Sequence, residues 1–135
     1  MELSELIEKI EQQIMQVKMN ELEKINCANV NLSLYQYIYT IGNLDNPVFS
    51  DLAETLNVSK PAITASVNKL IEQGIAAKRQ SNEDKRLYYL NLTPKGQEIF
   101  NICKMANQKV EDQIKDKLTK EEWELFVKLL TKIVQ

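Results

Sequence analysis

One predicted helix carries a surface of small side chains that would allow close approach to a binding partner. Ile63, Val67, Leu70 and Ile71 repeat at helical spacing and predict a single buried stripe. The opposite side and its flanks form what we call the small-residue face: Lys60, Pro61, Ala62, Thr64, Ala65, Asn68 and Lys69. A solvated helix face is normally dense in glutamate and lysine, whereas this face is small and uncharged at its centre.

A tight turn precedes this helix, over residues 56–59. Asn57 tolerates the left-handed backbone conformation that a sharp reversal needs, and Ser59 can accept a hydrogen bond from the free amides of the next helix. Pro61 suits the first helical turn, where its missing N–H is not needed. The segment therefore predicts a helix–turn–helix.

A hairpin is predicted after the second helix. Gly74 can supply the left-handed residue that ends the helix. Residues 75–80 and 87–92 read as two short strands, and residues 81–84 have the composition of a turn. Three charged residues lie at or next to the tip: Asp84, Lys85 and Arg86.

A helix–turn–helix followed by a basic hairpin is a winged helix, whose second helix enters the major groove of DNA. We therefore expect six residues of the small-residue face to lie at or near base edges: Lys60, Pro61, Ala62, Thr64, Ala65 and Asn68. Thr64 and Asn68 can hydrogen-bond there, and the alanine methyls can touch thymine methyl groups. Lys69, Lys78 and Arg79 are expected to contact phosphates, which position the protein without specifying sequence. The alternative is an ordinary solvent-facing helix.

Arg86 is the residue for which the sequence predicts the most specific DNA contact. An arginine at a hairpin tip can enter a narrow, A·T-rich minor groove, where the negative potential is enhanced. Asp84 can hold the guanidinium in place, which would avoid an ordering cost of about 0.5–1.5 kcal/mol on binding. The alternative is a surface ion pair worth about 0–1 kcal/mol. Ser59 and Lys85 complete the set of expected DNA contacts.

The same block of sequence resembles the wing signature of the MarR family of bacterial transcriptional regulators. The family pattern, G-L-V-x-R followed by D-x-R and a closing L-T-x-x-G, is matched without a gap by residues 74–79, 84–86 and 92–96. Ala76 replaces a larger residue, and Lys78 stands where arginine is common. The preceding helix–turn–helix is also similar to that of the family. The resemblance covers nearly the whole chain.

Charge is unevenly distributed along the chain. The net charge of −2 alone argues against a nucleic-acid partner. Residues 58–95, however, hold seven bases and three acids, whereas residues 1–47 hold three lysines and seven acids. Salt screens distant charges beyond about 8 Å, so the local field decides whether DNA can dock.

Amphipathic helices are predicted on both sides of the winged helix. One covers residues 2–19, one opens with Thr93 at its N-cap and Pro94 after it, and one follows a capping box that starts at Thr119 and ends at Glu122. Burial of their apolar stripes in a two-fold dimer explains these helices. Such a dimer would set two reading helices about 34 Å apart.

We expect one mainly α-helical domain with a small two- to three-stranded β-wing. Residues 31–93 would form the winged helix–turn–helix, flanked by dimerisation helices in residues 1–30 and 94–135. The family resemblance implies a homodimer that binds a pseudo-palindromic operator in double-stranded DNA, most often as a repressor released by a small molecule.

A further helix is predicted over residues 34–40, because Ser33 and Gln36 have capping-box spacing. Residues 42–47 are rich in helix breakers and are expected to form a loop. Aromatic residues alternate in this helix as they would in a strand, but the cap and the family pattern favour a helix. They are interpreted as core residues or, as the alternative, as lining of an effector site: Tyr35, Tyr37, Tyr39 and also Met19.

Cys27 and Cys103 make no disulfide framework. Some members of the family sense oxidants through cysteine, so a redox-sensing regulator is an alternative. A reactive thiolate needs a nearby positive charge or a helix N-terminus. Cys27 lies near Lys24, whereas Cys103 lies on an apolar stripe, and ordinary cysteines are the favoured interpretation. The other alternative is a winged-helix protein-interaction module, which the basic segment argues against.

Composition argues against catalysis and metal binding. The chain has no histidine, which is the ordinary general base near neutral pH and a preferred zinc ligand. No phosphate-binding loop or nucleophile elbow is visible. No window reaches the roughly 20 apolar residues of a membrane span, and Glu2 and Glu5 stand where a secretory signal would be basic. We expect a cytoplasmic protein without enzymatic activity, cofactor or metal.

Overall fold

The computed structural model describes residues 1–25 and 32–135. Within these residues it contains six helices and two antiparallel strands: α1 (Leu3–Glu23), α2 (Leu32–Asn43), α3 (Phe49–Leu56), α4 (Lys60–Glu72), β1 (Ala76–Gln80), β2 (Tyr88–Leu92), α5 (Pro94–Asp116) and α6 (Lys120–Val134). This order of helices around a β-hairpin confirms the predicted fold class. The chain forms two compact units, one of Glu21–Cys103 and one of Met1–Asn20 with Lys104–Gln135.

The helix–turn–helix is formed by α3 and α4. Asn57 adopts a left-handed conformation, with φ 52° and ψ 50°, immediately after α3. Ser59 is the N-cap of α4, and its hydroxyl accepts a hydrogen bond from the Ala62 N–H at 3.3 Å. At the start of α3, the Asp51 carboxylate accepts a hydrogen bond from the Val48 N–H at 2.9 Å. The predicted turn is confirmed at both of its key residues.

Burial of one stripe fixes the rotation of α4 about its axis. Ile63, Val67 and Leu70 are at most 1% exposed, and Ile71 is partly buried. Complete burial of an aliphatic side chain of this size stabilises a fold by about 1.5–3 kcal/mol. Because the stripe packs inward, the small-residue face must point outward.

α2 is longer than predicted at both ends. It begins at Leu32, so Ser33 lies inside the helix and the predicted start is wrong, and it ends at Asn43. Gly42 therefore belongs to the helix rather than to the predicted loop. A Cβ at Gly42 would overlap the ring of Phe100. Close packing of α2 against α5 has overridden the weak helix propensity of glycine.

The aromatic residues of α2 contribute to the core of their unit. Tyr35 and Tyr37 are buried, and the Tyr35 hydroxyl donates to the carbonyl oxygen of Cys103 at 3.3 Å. Burial, and then the adjacent Cys103 side chain, raises the pKa of the Tyr35 hydroxyl far above its usual range. The Tyr39 ring lies 5.7 Å from the Phe100 ring, centroid to centroid. The helical, core interpretation is confirmed for Tyr35 and Tyr37.

The wing is an antiparallel hairpin of β1 and β2. Its register runs from Ala76 opposite Leu92 to Gln80 opposite Tyr88. Each strand begins one residue later than predicted. An isolated bridge between Val48 and the second strand adds a short third segment to the sheet.

Thr93 joins the wing to α5. Its hydroxyl donates to the carbonyl oxygen of Gly74 at 2.6 Å and accepts a hydrogen bond from the Gly96 N–H at 3.1 Å. It is thus the predicted N-cap, with Pro94 after it. Gly74 has the predicted left-handed φ of 71°. Gly96 lies against the Ile75 carbonyl oxygen, so closely that no Cβ fits between them.

In the other unit, the predicted capping box opens α6. The Thr119 hydroxyl accepts a hydrogen bond from the Glu122 N–H at 3.2 Å, and the Glu122 carboxylate accepts one from the Thr119 N–H at 2.8 Å. Hydrogen bonds to the Thr119 backbone and side chain lower the pKa of Glu122. Large apolar side chains of α1 and α6 are exposed in the single chain: Leu3, Leu6, Ile7, Ile10, Met15, Leu125, Val127, Leu129, Leu130, Ile133 and Val134.

The two glycines at the base of the wing allow a matched test of packing against backbone strain. We expect Gly96→Ala to lower the free energy of unfolding by roughly 3 kcal/mol, because the added methyl overlaps a backbone carbonyl. Gly74→Ala has open space around its Cβ, and its left-handed backbone should cost only about 1–2 kcal/mol. Urea denaturation measures both, and equal losses would contradict the close approach at Gly96.

Candidate nucleic-acid interface

The small-residue face is exposed along α4, as expected. All of its members are exposed, and so is Ser59 at the N-cap: Lys60, Pro61, Ala62, Thr64, Ala65, Asn68 and Lys69. The Thr64 hydroxyl donates to the Lys60 carbonyl oxygen at 3.0 Å, so its proton is already used within the helix. The face therefore offers methyl and methylene groups with few free hydrogen-bonding atoms.

One charged residue on this side of α4 was not included in the prediction. Glu72 is exposed, ends the helix and follows Asn68 by four residues, so both lie on the same side. Its carboxylate would repel phosphate groups. Recognition helices contact bases mainly with their N-terminal residues, and Glu72 marks the far limit of the usable surface. Extending the helical spacing to the end of α4 would have revealed it.

A cleft of about 380 Å³ lies between α4 and the wing. Lys60 from α4 and Lys78 and Arg86 from the wing region line it, together with the hydroxyl-bearing Ser50 and Thr64. None of the residues lining this cleft is acidic. The fold thus brings together three of the predicted DNA-binding cations, and the cleft is suited to an extended anion.

Aromatic rings hold two of the cations of β1 in place. The Lys78 ammonium lies 5.0 Å from the centre of the Tyr88 ring, and the Arg79 guanidinium lies 4.9 Å from that of Tyr89. Such cation–π contacts contribute about 0.5–1 kcal/mol at exposed sites. Adjacent strand residues point to opposite faces, so Arg79 is not brought into the cleft with Lys78. Sequence reasoning missed the two tyrosines, although cross-strand pairing gives the signal.

Asp84 holds the Arg86 guanidinium by two hydrogen bonds. Arg86 Nε donates to Asp84 Oδ1 at 3.0 Å and Nη2 donates to Oδ2 at 3.1 Å, while the Arg86 backbone N–H also donates to Oδ1 at 3.0 Å. The hydrogen bonds from the side chain and then the backbone of Arg86 lower the pKa of Asp84, and the carboxylate raises the pKa of Arg86. The Arg86 side chain is 89% exposed, so it is pre-positioned yet accessible.

Two further side chains shape the tip of the wing. Ser81 is buried, and its hydroxyl accepts hydrogen bonds from the backbone N–H groups of Glu83 and Asp84, each at 3.2 Å. The Gln80 side-chain amide donates to the Lys85 carbonyl oxygen at 2.8 Å. The sequence predicted a turn here, but it did not reveal the contact between Gln80 and Lys85.

The alternative sites considered for the chain gain little support. Cys27 lies outside the described residues, and Cys103 is fully buried, which shields its thiol from oxidants. No group of potential metal ligands is present in residues 1–25 and 32–135. None of the described helices is both long enough and apolar enough to cross a membrane.

Comparison with known proteins gives concordant matches. The sequence model of the MarR family matches residues 30–88. The HTH-type transcriptional regulator BilQ of Clostridium symbiosum (strain WAL-14163) is 27% identical over 114 residues, which are 84% of this chain and 77% of that protein. The fold is similar to that of Streptococcus pneumoniae FabT in complex with DNA, with a TM-score of 0.82, 23% identity and coverage of 99% of this chain and 96% of FabT.

A second solved structure, a mutant of MarR from E. coli complexed with operator DNA, has a TM-score of 0.75 and 21% identity, covering 98% of this chain and 94% of that one. The helix–turn–helix and its hairpin define a winged helix. Together with the wing signature, the family match over residues 30–88 and the similarity to HTH-type regulators support the assignment as a MarR-family winged-helix regulator. Its relatives are regulators rather than enzymes.

The ion pair at the wing tip has a measurable signature. We expect the Asp84 carboxyl carbon to titrate by NMR below the usual pKa of about 3.9. Because a lowered pKa means that the ionised form is favoured, the pair should persist above pH 5 and be lost only as pH falls through the lowered value.

Arg86→Ala should raise the pKa of Asp84 towards its usual value, whereas Lys85→Ala, which removes a neighbouring charge, should change it little. An ordinary pKa for Asp84 in the unmodified chain would show that the pair does not form in solution.

Proposed function

We propose that the chain is a sequence-specific double-stranded-DNA-binding regulator that acts as a homodimer. The observation that carries this proposal is the basic cleft between α4 and the wing, which Lys60, Lys78 and Arg86 line. α4, which suits a major groove, and the wing tip, which suits a minor groove, lie on either side of this cationic cleft.

The cleft has the chemistry of a phosphodiester site. A single sugar–phosphate strand separates a major groove from the adjacent minor groove. If α4 enters the first and the wing tip enters the second, that strand passes through the cleft. Lys60 and Lys78 would neutralise it, and Ser50 and Thr64 would offer oxygen atoms close by.

Each remaining site residue has a place in this arrangement. The near-base residues would be Pro61, Ala62, Thr64, Ala65 and Asn68, with Ser59 at the helix N-terminus. Lys69, Arg79 and Lys85 would contact phosphates around the cleft, and Arg86, held by Asp84, would enter the minor groove.

The exposed apolar side chains of α1 and α6 support a dimer. Burying apolar surface stabilises by about 25 cal/mol per Å², and a two-fold interface formed by residues 1–30 and 94–135 would cover these exposed side chains. Residues 31–93 would then be the DNA-binding part of each copy. Two winged helices about one DNA turn apart would read a pseudo-palindromic operator.

We further propose that the regulator is a repressor, released by a small-molecule effector, as the family resemblance implies. A dimer that occupies both grooves of an operator would block access by other proteins. The burial of Tyr35 and Tyr37 argues against them as lining of an open effector site. This role would place the protein in the cytoplasm with the chromosome.

Substitution of Arg86 tests the proposed function. We expect Arg86→Ala to weaken binding to a selected operator duplex about tenfold or more, because a pre-positioned cation is lost from the minor groove. Fluorescence anisotropy over a range of salt concentrations measures this. Binding by the unmodified chain should fall steeply with salt through counterion release, and the slope should become shallower when the charge of Arg86 is lost.

Asn91→Ala is the control, because it truncates an exposed side chain of the same hairpin that is not among the proposed DNA contacts. It should leave both affinity and slope unchanged, and circular dichroism should be the same for all three proteins. Undiminished binding by Arg86→Ala would remove the wing tip from the mechanism. Failure of the unmodified chain to bind any duplex would favour a protein-interaction module instead.

A further inference from the structure

We propose that Ser50 is a phosphorylation site and that its phosphate group, held in the basic cleft, blocks DNA binding. This inference rests on the proposed DNA-binding function and names a way in which the same cleft would be regulated. It follows from the position of the Ser50 hydroxyl and from the charges around it.

The Ser50 hydroxyl is accessible and is not engaged by the protein. Ser50 is exposed and is the second residue of α3. In the part of the chain that the structure describes, its hydroxyl makes no hydrogen bond. Thr64 carries the other aliphatic hydroxyl that lines the cleft, and this hydroxyl donates to the Lys60 carbonyl oxygen at 3.0 Å. Ser50 is therefore the aliphatic hydroxyl of the cleft that is free to accept a phosphoryl group.

The surroundings of Ser50 suit a doubly charged anion. A phosphoserine carries about 1.5–2 negative charges at pH 7. Among the described residues, the cleft is lined by three cations and by no acidic residue. Asp51, the acidic neighbour of Ser50 in sequence, does not line the cleft, and its carboxylate accepts a hydrogen bond from the Val48 N–H at 2.9 Å. A phosphate on Ser50 would therefore meet cations without meeting a carboxylate.

Two further features supply hydrogen-bond donors to such a phosphate. The first N–H groups of a helix have no partner within the helix, and the positive end of its dipole favours a phosphate there. Ser50 lies in this first turn of α3. Asp84 occupies the Arg86 guanidinium only through one N–H of Nε and one of Nη2, so Arg86 keeps donors for a second anion. The phosphate would be bound from α3, α4 and the wing together.

The modification itself is a phosphoryl transfer from a nucleoside triphosphate, catalysed by a protein serine kinase. The Ser50 Oγ attacks the γ-phosphorus, and the new Oγ–P bond forms as the bond from that phosphorus to the β-phosphate oxygen breaks. The nucleoside diphosphate leaves, and the hydroxyl proton passes to a base of the kinase. The chain gains a phosphate ester and loses no other group.

This phosphate would take the place proposed for the sugar–phosphate strand of DNA. Lys60 and Lys78 would be neutralised by the phosphoserine instead of by the strand. The phosphoserine would also repel any strand that approached the cleft, because like charges disfavour each other. Phosphorylation of Ser50 would therefore release the protein from its operator.

The test places phosphoserine at position 50 of the full chain by genetic encoding. Fluorescence anisotropy on a selected operator duplex should show an affinity lowered by roughly a hundredfold, because the cleft gains a dianion and loses its free cations. Phosphoserine in place of Glu54 is the matched control. Glu54 is exposed on the same helix, already carries a negative charge and does not line the cleft. We expect its replacement to change the affinity by no more than about threefold, because salt screens charges that lie away from the contact.

The phosphate resonance in ³¹P NMR reports whether the cleft holds the group. The second pKa of phosphoserine is about 6. Nearby cations favour the dianion, so the pKa of phosphoserine at position 50 should lie below that of phosphoserine in place of Glu54. Lys78→Gln should raise the pKa at position 50, which a general disturbance of the fold would not do. Circular dichroism should show that all variants are folded.

The outcomes distinguish this inference from the function on which it rests. A selective loss of affinity, a lowered phosphate pKa and phosphate found on Ser50 by tandem mass spectrometry of the chain isolated from its own cells support it. Unchanged affinity, an equal loss with phosphoserine in place of Glu54, or unmodified Ser50 in those cells overturns the inference and leaves the DNA-binding function intact. If the unmodified chain binds no duplex at low salt, the proposed function itself is overturned, and the inference falls with it.

Discussion

The inward packing of Ile63, Val67 and Leu70 is the constraint on which the interface depends. These side chains are at most 1% exposed, and rotating α4 about its axis would expose them at a cost of about 1.5–3 kcal/mol each. The rotation of the helix is therefore fixed, and the residues that point outward are determined by their spacing from the stripe. Asn57 and Ser59 fix the residue at which α4 begins, and they therefore determine which residues form its N-terminal turn.

The wing is held in a comparable way, but by hydrogen bonds. Thr93 ties the end of α4 to the start of α5 through the Gly74 carbonyl and the Gly96 N–H, and Gly96 allows the close approach to Ile75. At the other end of the hairpin, Ser81 and Asp84 satisfy the backbone of the turn. Arg86 is therefore presented by a rigid hairpin, which reduces the ordering cost of binding.

Local chemistry made much of this predictable from sequence. The turn and the helix caps involve only residues close together in sequence, and they were predicted correctly at Asn57, Ser59, Gly74, Thr93 and Thr119. Contacts between distant residues set the rest. The extension of α2 through Gly42 depends on Phe100, and the ring contacts of Lys78 and Arg79 depend on the strand register that brings Tyr88 and Tyr89 beside them. Helical spacing alone predicted that the small-residue face is exposed. The hydrogen bond from the Thr64 hydroxyl to the Lys60 carbonyl oxygen depends on the side-chain rotamer of Thr64, which the sequence does not specify.

The central claim is that α4 and the wing face two adjacent grooves, and that they do so twice on one duplex. Hydroxyl-radical cleavage of a bound, selected duplex tests this most directly, because it reports backbone protection nucleotide by nucleotide. We expect two equivalent protected regions, with centres about one helical turn of 10–10.5 base pairs, or a multiple of it, apart. A single protected region, or no protection at low ionic strength, would contradict it.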